Sequence, residues 1–244
     1  VITNASPGFT FSSMSCNMVK GPSGACTVLL KLETTMQSSI FLLLLTALVM
    51  GFHSTATLAS SSKILIMGDS LSAAYNISME QSWPVIFQHK LKSIEPNSDV
   101  INVSISGETT AGGVERLQNL LDEHKPSHMI LELGGNDGLR GFKFKQTKQA
   151  LKAMISMAQA LNIKVLMIGV RLPPNLGPVY NKRFQQIYEQ LADQQDIAYL
   201  PRFLQGVAAG NPEWMQQDGI HPTALAQPFL ADKVFSLFSS SYLQ

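Results

Sequence analysis

Short apolar runs alternate with longer amphipathic stretches along residues 60–244. Apolar runs of four to eight residues favour buried strands, and apolar positions at helical spacing favour helices. The predicted strands are 63–67, 99–104, 128–133, 163–169 and 197–200. The predicted helices are one that opens at 82–84 and ends at 96–97, and then 111–123, 145–161, 179–194 and 224–238. Strands that alternate with helices of this length predict an α/β fold, a three-layer α/β/α sandwich around a parallel sheet.

Details of this pattern set further expectations for packing. In the first helix the apolar face carries Val85, Ile86, Leu91 and Ile94. Three prolines in 171–178 rule out a helix there. If the sheet has the flavodoxin-like strand order 2-1-3-4-5, the first three strands are neighbours, and the turns that follow them meet at one edge.

The first 59 residues differ from the rest. Met36 precedes a 13-residue apolar stretch from Ile40 to Phe52, and small residues follow as far as Ala59. This is the order of a secretory signal peptide. We therefore expect an upstream extension absent from the mature protein at 1–35, a signal peptide at 36–59 and one domain at 60–244, located in the periplasm or secreted. A short core helix with a disordered tail is the alternative.

Composition narrows the function classes. Both cysteines, Cys16 and Cys26, precede residue 60, so the predicted domain has no disulfide and no cysteine metal site. The whole chain has 18 basic and 17 acidic side chains, of which Lys20, Lys31 and Glu33 lie in the first 59 residues. The domain is therefore nearly neutral, which gives no reason to expect nucleic acid or an anionic membrane surface as a partner.

The turn after the first strand, Gly68-Asp69-Ser70, carries the candidate nucleophile. A strand that breaks into Gly-Asp-Ser delivers the Ser70 hydroxyl to the exposed end of a parallel sheet. A serine at neutral pH needs a base to take its proton, and the base needs a partner that orients it. The sequence lacks the Gly-x-Ser-x-Gly, His-Glu-x-x-His, P-loop and Gly-x-Gly-x-x-Gly motifs, so no metal or cofactor is expected.

Four histidines lie after residue 60, and one suits the role of base. His89 and His124 fall on polar helix faces, and His128 opens a strand at the far end of the sheet. His221 lies in a turn-rich loop with Asp218 three residues before it. One tight turn can bring this carboxylate to Nδ1 and leave Nε2 free for Ser70. On the motif alone, a turn-capping aspartate beside a surface histidine is an equally good interpretation.

Two further turns supply candidate donors for an oxyanion. Gly107 can offer a backbone N–H, and Asn136 can offer its side-chain amide. Each taken singly is an ordinary turn residue. Taken together with Ser70 and His221, they place the required groups at the ends of neighbouring strands. Asp69 is expected to accept local backbone hydrogen bonds and not to serve as the third member of a triad.

Four sequence blocks resemble the SGNH, or GDSL, hydrolase family. They are 68–72, 106–109, 134–137 and 218–222. Longer blocks at 131–141 and 214–222 resemble the bacterial members that act as acyl-CoA thioesterase, protease I and lysophospholipase, and the resemblance covers roughly 63–238. Where the family more often has Asp, this chain has Glu108, for which little effect is expected because the neighbouring backbone supplies the donor.

The resemblance implies roles for individual residues. It implies Ser70 as nucleophile, His221 as base and Asp218 as its orienter, with an oxyanion hole formed by the Ser70 and Gly107 backbone N–H groups and the Asn136 side chain. It also implies a mobile loop at 137–142 and an acyl-binding groove, and the candidate substrate-binding residues are Asp137, Leu139, Phe142 and Pro173. The expected partner is a small acyl ester or thioester. We expect the protein to be a monomer that has no stable membrane insertion after signal cleavage.

Two other functions remain open on the sequence. One is a carbohydrate acetyl esterase of the same fold, which would prefer acetyl over longer acyl groups. The other is a binding protein for acyl chains or lipids that keeps the scaffold without catalysis. The sequence analysis favours an esterase and thioesterase that works through a Ser-His-Asp triad and an acyl-enzyme.

Overall fold

Five parallel strands form the central sheet, in the order β2-β1-β3-β4-β5. The computed structural model describes residues 62–207 and 211–243, which fall within one compact unit, Ala59–Gln244. The strands are β1 (Lys63–Gly68), β2 (Asp99–Asn102), β3 (His128–Glu132), β4 (Lys164–Ile168) and β5 (Ala198–Leu200). The predicted α/β class and the flavodoxin-like strand order are confirmed.

Six α-helices accompany the sheet in the described part of the chain. They are α1 (Trp83–Ile94), α2 (Thr110–His124), α3 (Gly135–Leu139), α4 (Phe144–Ala160), α5 (Pro178–Gln195) and α6 (Gln227–Tyr242). Helices α1 and α6 pack against one face of the sheet, and α2, α4 and α5 pack against the other. The expected three layers are therefore present.

Alternating residues of each strand pack into two hydrophobic cores, one on each face of the sheet. In β1, Leu65 and Met67 contact the core under α2, α4 and α5, whereas Ile64 and Ile66 contact the core under α1 and α6. All four are fully buried. Successive side chains of a strand point to opposite faces, and a sheet covered on both faces needs apolar residues at every position. This explains why the strands are continuous apolar runs.

Some element boundaries and faces differ from the sequence prediction. Strand β2 ends at Asn102 because its side chain accepts hydrogen bonds from the backbone and hydroxyl of Ser104 and turns the chain. In α1 the buried positions include Trp83 and Phe87, which lie outside the predicted apolar face, whereas Ile94, the last residue of that face, is 52% exposed. The predicted start of the last helix, Ala224, lies in a 3-10 turn that precedes α6.

The expectations for 1–35 and 36–59 concern residues outside the described part of the chain. Among the described residues, no helix combines the length and the apolar character that crossing a bilayer requires.

Candidate active site

Ser70 lies one residue beyond Asp69, at the carboxyl end of β1. The backbone N–H groups of Ser72 and Ala73 donate to the Asp69 carbonyl and close a turn that carries the serine. Gly68 is required at this point, because a Cβ there would lie 2.7 Å from Ser72 Oγ and from Glu132 Oε2. The turn and the crowding below it hold the Ser70 hydroxyl at the sheet edge.

His221 joins Ser70 and Asp218 in one chain of hydrogen bonds. Its Nε2 lies 2.8 Å from Ser70 Oγ, and its Nδ1 lies 2.7 Å from Asp218 Oδ2. With the carboxylate accepting from Nδ1–H, Nε2 is left as an acceptor for the serine hydroxyl. The tight turn at 218–221 thus brings the three side chains into the arrangement that a nucleophilic serine needs.

The Asp218 carboxylate is held strongly in its charged form. Desolvation acts to raise its pKa, but the His221 backbone N–H, the imidazole and the Ile220 N–H together outweigh that effect and lower the pKa to about 2. The two backbone donors lie 3.0 and 2.9 Å from Oδ1. The group that orients the histidine therefore stays ionised at any pH at which the histidine can act as a base.

The sequence analysis missed three contacts that hold this loop. The Tyr75 ring lies against the His221 imidazole, with centroids 4.3 Å apart and planes tilted by 35°. The Gln216 side chain donates to the Tyr75 carbonyl and its backbone N–H donates to the His221 carbonyl. No sequence motif marks Tyr75, although it lies only five residues after Ser70.

Gly107 and Asn136 reach the same cleft. Gly107 has φ +81°, in the left-handed region that favours glycine. Asn136 lies in α3, and its Nδ2 donates to Asp69 Oδ2 at 3.1 Å. The left-handed residue of that turn is Gly134, at φ +112°. Arg140 Nη2 donates to the Gly107 carbonyl at 3.0 Å and links the two turns.

Two buried carboxyl groups lie beneath the serine. Burial raises the pKa of Asp69 to about 6, against the opposing effects of the Leu71 N–H, His221 and the Asn136 amide. Burial, together with the nearby Asp69 charge, raises the pKa of Glu132 well above its ordinary value. Glu132 Oε2 accepts from Ser72 Oγ at 2.8 Å. Asp69 also accepts from the Leu71 backbone at 3.1 Å, which is the local role expected of it.

A cleft of about 520 Å³ opens beside Ser70 and His221. Its walls include Ser70, Gly107, Asn136 and His221, so the structure brings these sequence-predicted residues together. Most of the remaining wall is apolar. The apolar side chains are those of Leu71, Leu139, Val170, Leu172, Pro173, Pro174, Leu204, Met215 and Ile220. Leu139 and Pro173, two of the candidate substrate-binding residues, thus line the cleft.

The other two candidate substrate-binding residues lie elsewhere. Asp137 is 2% exposed, and its carboxylate accepts hydrogen bonds from Thr110 and from Thr147, so it ties α3 to α2 and α4. Phe142 is 42% exposed and lies outside the cleft wall. The segment expected to be a mobile loop begins with the last residues of α3.

The remaining histidines do not reach the cleft. His128 is buried at the opposite end of the sheet against Phe238 and Tyr242, and its Nε2 has no partner among the described residues. The described residues also contain no cluster of three or more histidine, cysteine or acidic side chains with metal-ligand geometry.

Comparison with known proteins decides the family. A model of the GDSL-like Lipase/Acylhydrolase family matches residues 66–227. The chain belongs to this family. It is 45% identical over 174 residues to the "Thioesterase 1/protease 1/lysophospholipase L1" of Escherichia coli (strain K12), a match that covers 71% of this chain and 82% of the relative. It is 44% identical over 190 residues to the "Arylesterase" of Vibrio mimicus, covering 78% of this chain and 94% of the relative.

Two solved structures agree with the fold. The crystal structure of TesA has a TM-score of 0.71 at 44% identity, covering 73% of this chain and 99% of that one. The psychrotrophic esterase EstA from Pseudoalteromonas, inhibited by monoethylphosphonate, has a TM-score of 0.71 at 35% identity and covers 75% of this chain and 100% of that one. The SGNH hydrolase fold expected from the sequence blocks is therefore confirmed.

Proposed function

We propose that this protein is a serine hydrolase that cleaves acyl esters and thioesters through a covalent acyl-enzyme. The observation that carries the proposal is the hydrogen-bond chain Ser70–His221–Asp218 at 2.8 and 2.7 Å, opening into an apolar cleft. Membership of a family of lipases and acylhydrolases supports the same conclusion.

Acylation begins at the serine. His221 Nε2 takes the hydroxyl proton as Ser70 Oγ attacks the acyl carbonyl carbon, and the carbonyl oxygen becomes an oxyanion. The backbone N–H groups of Ser70 and Gly107 and the free N–H of the Asn136 amide donate to that oxygen. Collapse of the intermediate breaks the bond to the alcohol or thiol, which leaves with the proton from His221. Asp218 stabilises the imidazolium throughout.

Deacylation repeats the chemistry with water. His221 takes a proton from a water molecule, whose oxygen attacks the acyl carbon, and Ser70 leaves with that proton. The products are a carboxylic acid and the free enzyme. The side chains and backbone N–H groups of one chain supply every protein group in this cycle, so we propose that the protein acts as a monomer without a metal or cofactor.

The cleft favours substrates with an extended apolar acyl group. Leucine, valine, proline and methionine side chains form most of the wall around the reacting groups, and such walls bind apolar ligand surface. Acyl-CoA thioesters, lysophospholipids and aryl esters fit this description and agree with the names of the relatives. A carbohydrate acetyl esterase would use a more polar cleft, so that alternative receives less support.

We also propose that the protein acts in the periplasm or outside the cell. The support is the order of residues in 36–59, an apolar stretch followed by small residues. Amino-terminal sequencing of exported protein should find a start near residue 60, and an intact leader on protein in the cytoplasm would contradict export.

Hydrolysis of p-nitrophenyl acyl esters tests the proposed function. Ser70→Ala should lose at least about a thousandfold in kcat, because nucleophile and base act as one unit. Ser106→Ala is the matched control, since Ser106 also lines the cleft but has no base beside it. Wild-type turnover by Ser70→Ala would overturn the proposal. A rate series from acetyl to long acyl groups, on esters and thioesters, should rise with chain length, and a sharp acetyl preference would favour the carbohydrate acetyl esterase.

A further inference from the structure

The near-neutral charge of the domain conceals a strongly basic region. Residues 138–188 contain nine lysines and arginines and no aspartate or glutamate. The acidic residues of the domain all lie before or after this stretch. The near-zero net charge of the domain therefore does not describe the surface that this stretch presents, which is locally basic.

Six of these cations lie at the end of the sheet that carries the cleft. Each lies close in sequence to the carboxyl end of β3 or β4, or in the first turns of the helix that follows that strand. They are Arg140, Lys143, Lys145, Arg171, Lys182 and Arg183. None forms an ion pair with a carboxylate of the described residues. Arg171 is also part of the cleft wall.

Exposed apolar side chains lie among these cations. Leu139 is 39% exposed, Phe142 42%, Leu176 38% and Val179 65%. They belong to two segments, 139–142 and 176–179, which lie next to the contact between the Phe144 and Tyr180 rings. Tyr180 Oη donates to the Gly138 carbonyl at 2.9 Å, and its ring lies 4.7 Å from that of Phe144. We call these four apolar and six basic residues the cleft rim.

Acidic groups at this end of the molecule are mostly engaged. Asp69 and Asp137 are buried, and Asp218 is bonded to His221. Glu108 forms an ion pair with Arg116 at 2.8 Å. Glu80 between β1 and α1, Glu115 on α2 and Glu213 beyond the cleft are exposed acids outside the rim. The rim itself therefore keeps its positive charge.

We infer that the cleft rim docks the protein on an anionic lipid surface, with the mouth of the cleft turned toward the lipid. Peripheral binding of this kind combines buried apolar side chains with attraction between Lys or Arg and anionic headgroups. The pairing favours lipid over nucleic acid or an acidic protein, because aliphatic side chains beside an acyl-binding cleft gain from contact with acyl chains. This inference rests on the proposed function, since it names where the acyl substrate is met.

Vesicle co-sedimentation of the full chain carrying Ser70→Ala tests docking without hydrolysis. The probes are vesicles of phosphatidylcholine mixed with phosphatidylglycerol, and vesicles of phosphatidylcholine alone. Adding Lys143→Gln and Lys182→Gln should lower binding to the anionic vesicles about tenfold or more, since each cation near the surface contributes several-fold. The control, Lys92→Gln with Lys164→Gln, removes two exposed cations at the far end of the sheet and should bind normally.

The apolar part of the rim has its own variant pair. Leu176→Ser with Val179→Ser should weaken binding several-fold, and Ile94→Ser with Leu161→Ser, at the opposite end, should not. Equal binding to neutral vesicles, or equal binding by rim and control variants, would overturn the inference. The inference would also be overturned if the protein did not bind vesicles but did bind nucleic acid or an acidic protein in a salt-sensitive way. Turnover of a soluble short-chain ester by the same rim variants with Ser70 restored checks the proposed function separately.

Discussion

Asp69 fixes the orientation of the Asn136 amide. Asn136 Nδ2 donates to Asp69 Oδ2 at 3.1 Å, while Asp69 Oδ1 accepts from the Leu71 backbone N–H. A carboxylate only accepts hydrogen bonds, so it determines which end of the amide is nitrogen. One amide hydrogen is thereby engaged, and the second is free to point into the cleft. Asp69 thus orients the Asn136 amide, which lies beyond the end of the neighbouring strand β3, as a donor for the oxyanion.

Replacing Asp69 by Asn should weaken catalysis through Asn136. The new amide can present a donor to Asn136 and loosen its orientation, so we expect kcat to fall about 10- to 100-fold with little change in KM, since one oxyanion donor is worth about 10²–10³. Kinetics of Asp69→Asn, Asn136→Ala and the double variant measure this. The double variant should be no slower than Asn136→Ala alone, and additive losses would contradict a role for Asp69 through Asn136.

The ring contact on His221 should show in turnover. The Tyr75 ring lies tilted against the imidazole, and an aromatic contact of this kind is worth about 0.5–1.5 kcal/mol. Tyr75→Ala should therefore lower kcat about 3- to 10-fold, and Tyr75→Phe should stay near wild type. Steady-state kinetics of both variants on one ester decide whether the ring or the hydroxyl of Tyr75 is responsible. Equal losses in both variants would assign the effect to the hydroxyl and not to the ring.

Glu132 should make the fold less stable as pH rises. Burial raises its pKa, so the folded protein keeps a proton that the unfolded chain releases above about pH 4.5, and stability falls as pH increases beyond that point. Glu132→Gln removes this proton linkage. Urea unfolding at about pH 5 and about pH 8 should show a smaller loss of stability for Glu132→Gln than for wild type. Glu123→Gln, at an exposed helix position, is the control, and an unchanged pH slope in Glu132→Gln would contradict the argument.

His128 should have the opposite pH effect at acid pH. Burial, followed by the nearby Lys164 charge, lowers its pKa to about 4. Between about pH 6.5 and 4 the unfolded chain binds a proton that the folded protein does not, so stability falls as pH decreases. His128→Phe, packed against Phe238 and Tyr242, should flatten this acid slope in urea unfolding, and His89→Gln should not. A slope that persists in His128→Phe would place the acid sensitivity elsewhere.

The local sequence was sufficient for the parts of the site that short turns create. The strand that ends at Gly68 positions Ser70 two residues later, and the tight turn that begins at Asp218 positions His221. The strand order of the sheet then brings the two turns together. These features depend on backbone geometry, which local patterns encode well.

Other features depend on contacts between distant segments. The ring of Tyr75 contacts His221, which lies 146 positions further along the chain, and Asp137 turns away from the cleft because Thr110 and Thr147 supply its donors. Side-chain direction therefore had to come from the structure.

Covalent labelling tests the central claim most directly, because it reports attack by Ser70 without assuming a substrate. Intact-mass measurement after reaction with a fluorophosphonate should show one adduct, mapped by peptide sequencing to Ser70. The adduct should be absent in Ser70→Ala, present in Ser106→Ala and formed far more slowly in His221→Ala. An unmodified wild-type protein, or an adduct that persists in Ser70→Ala, would contradict the assignment of Ser70 as the nucleophile.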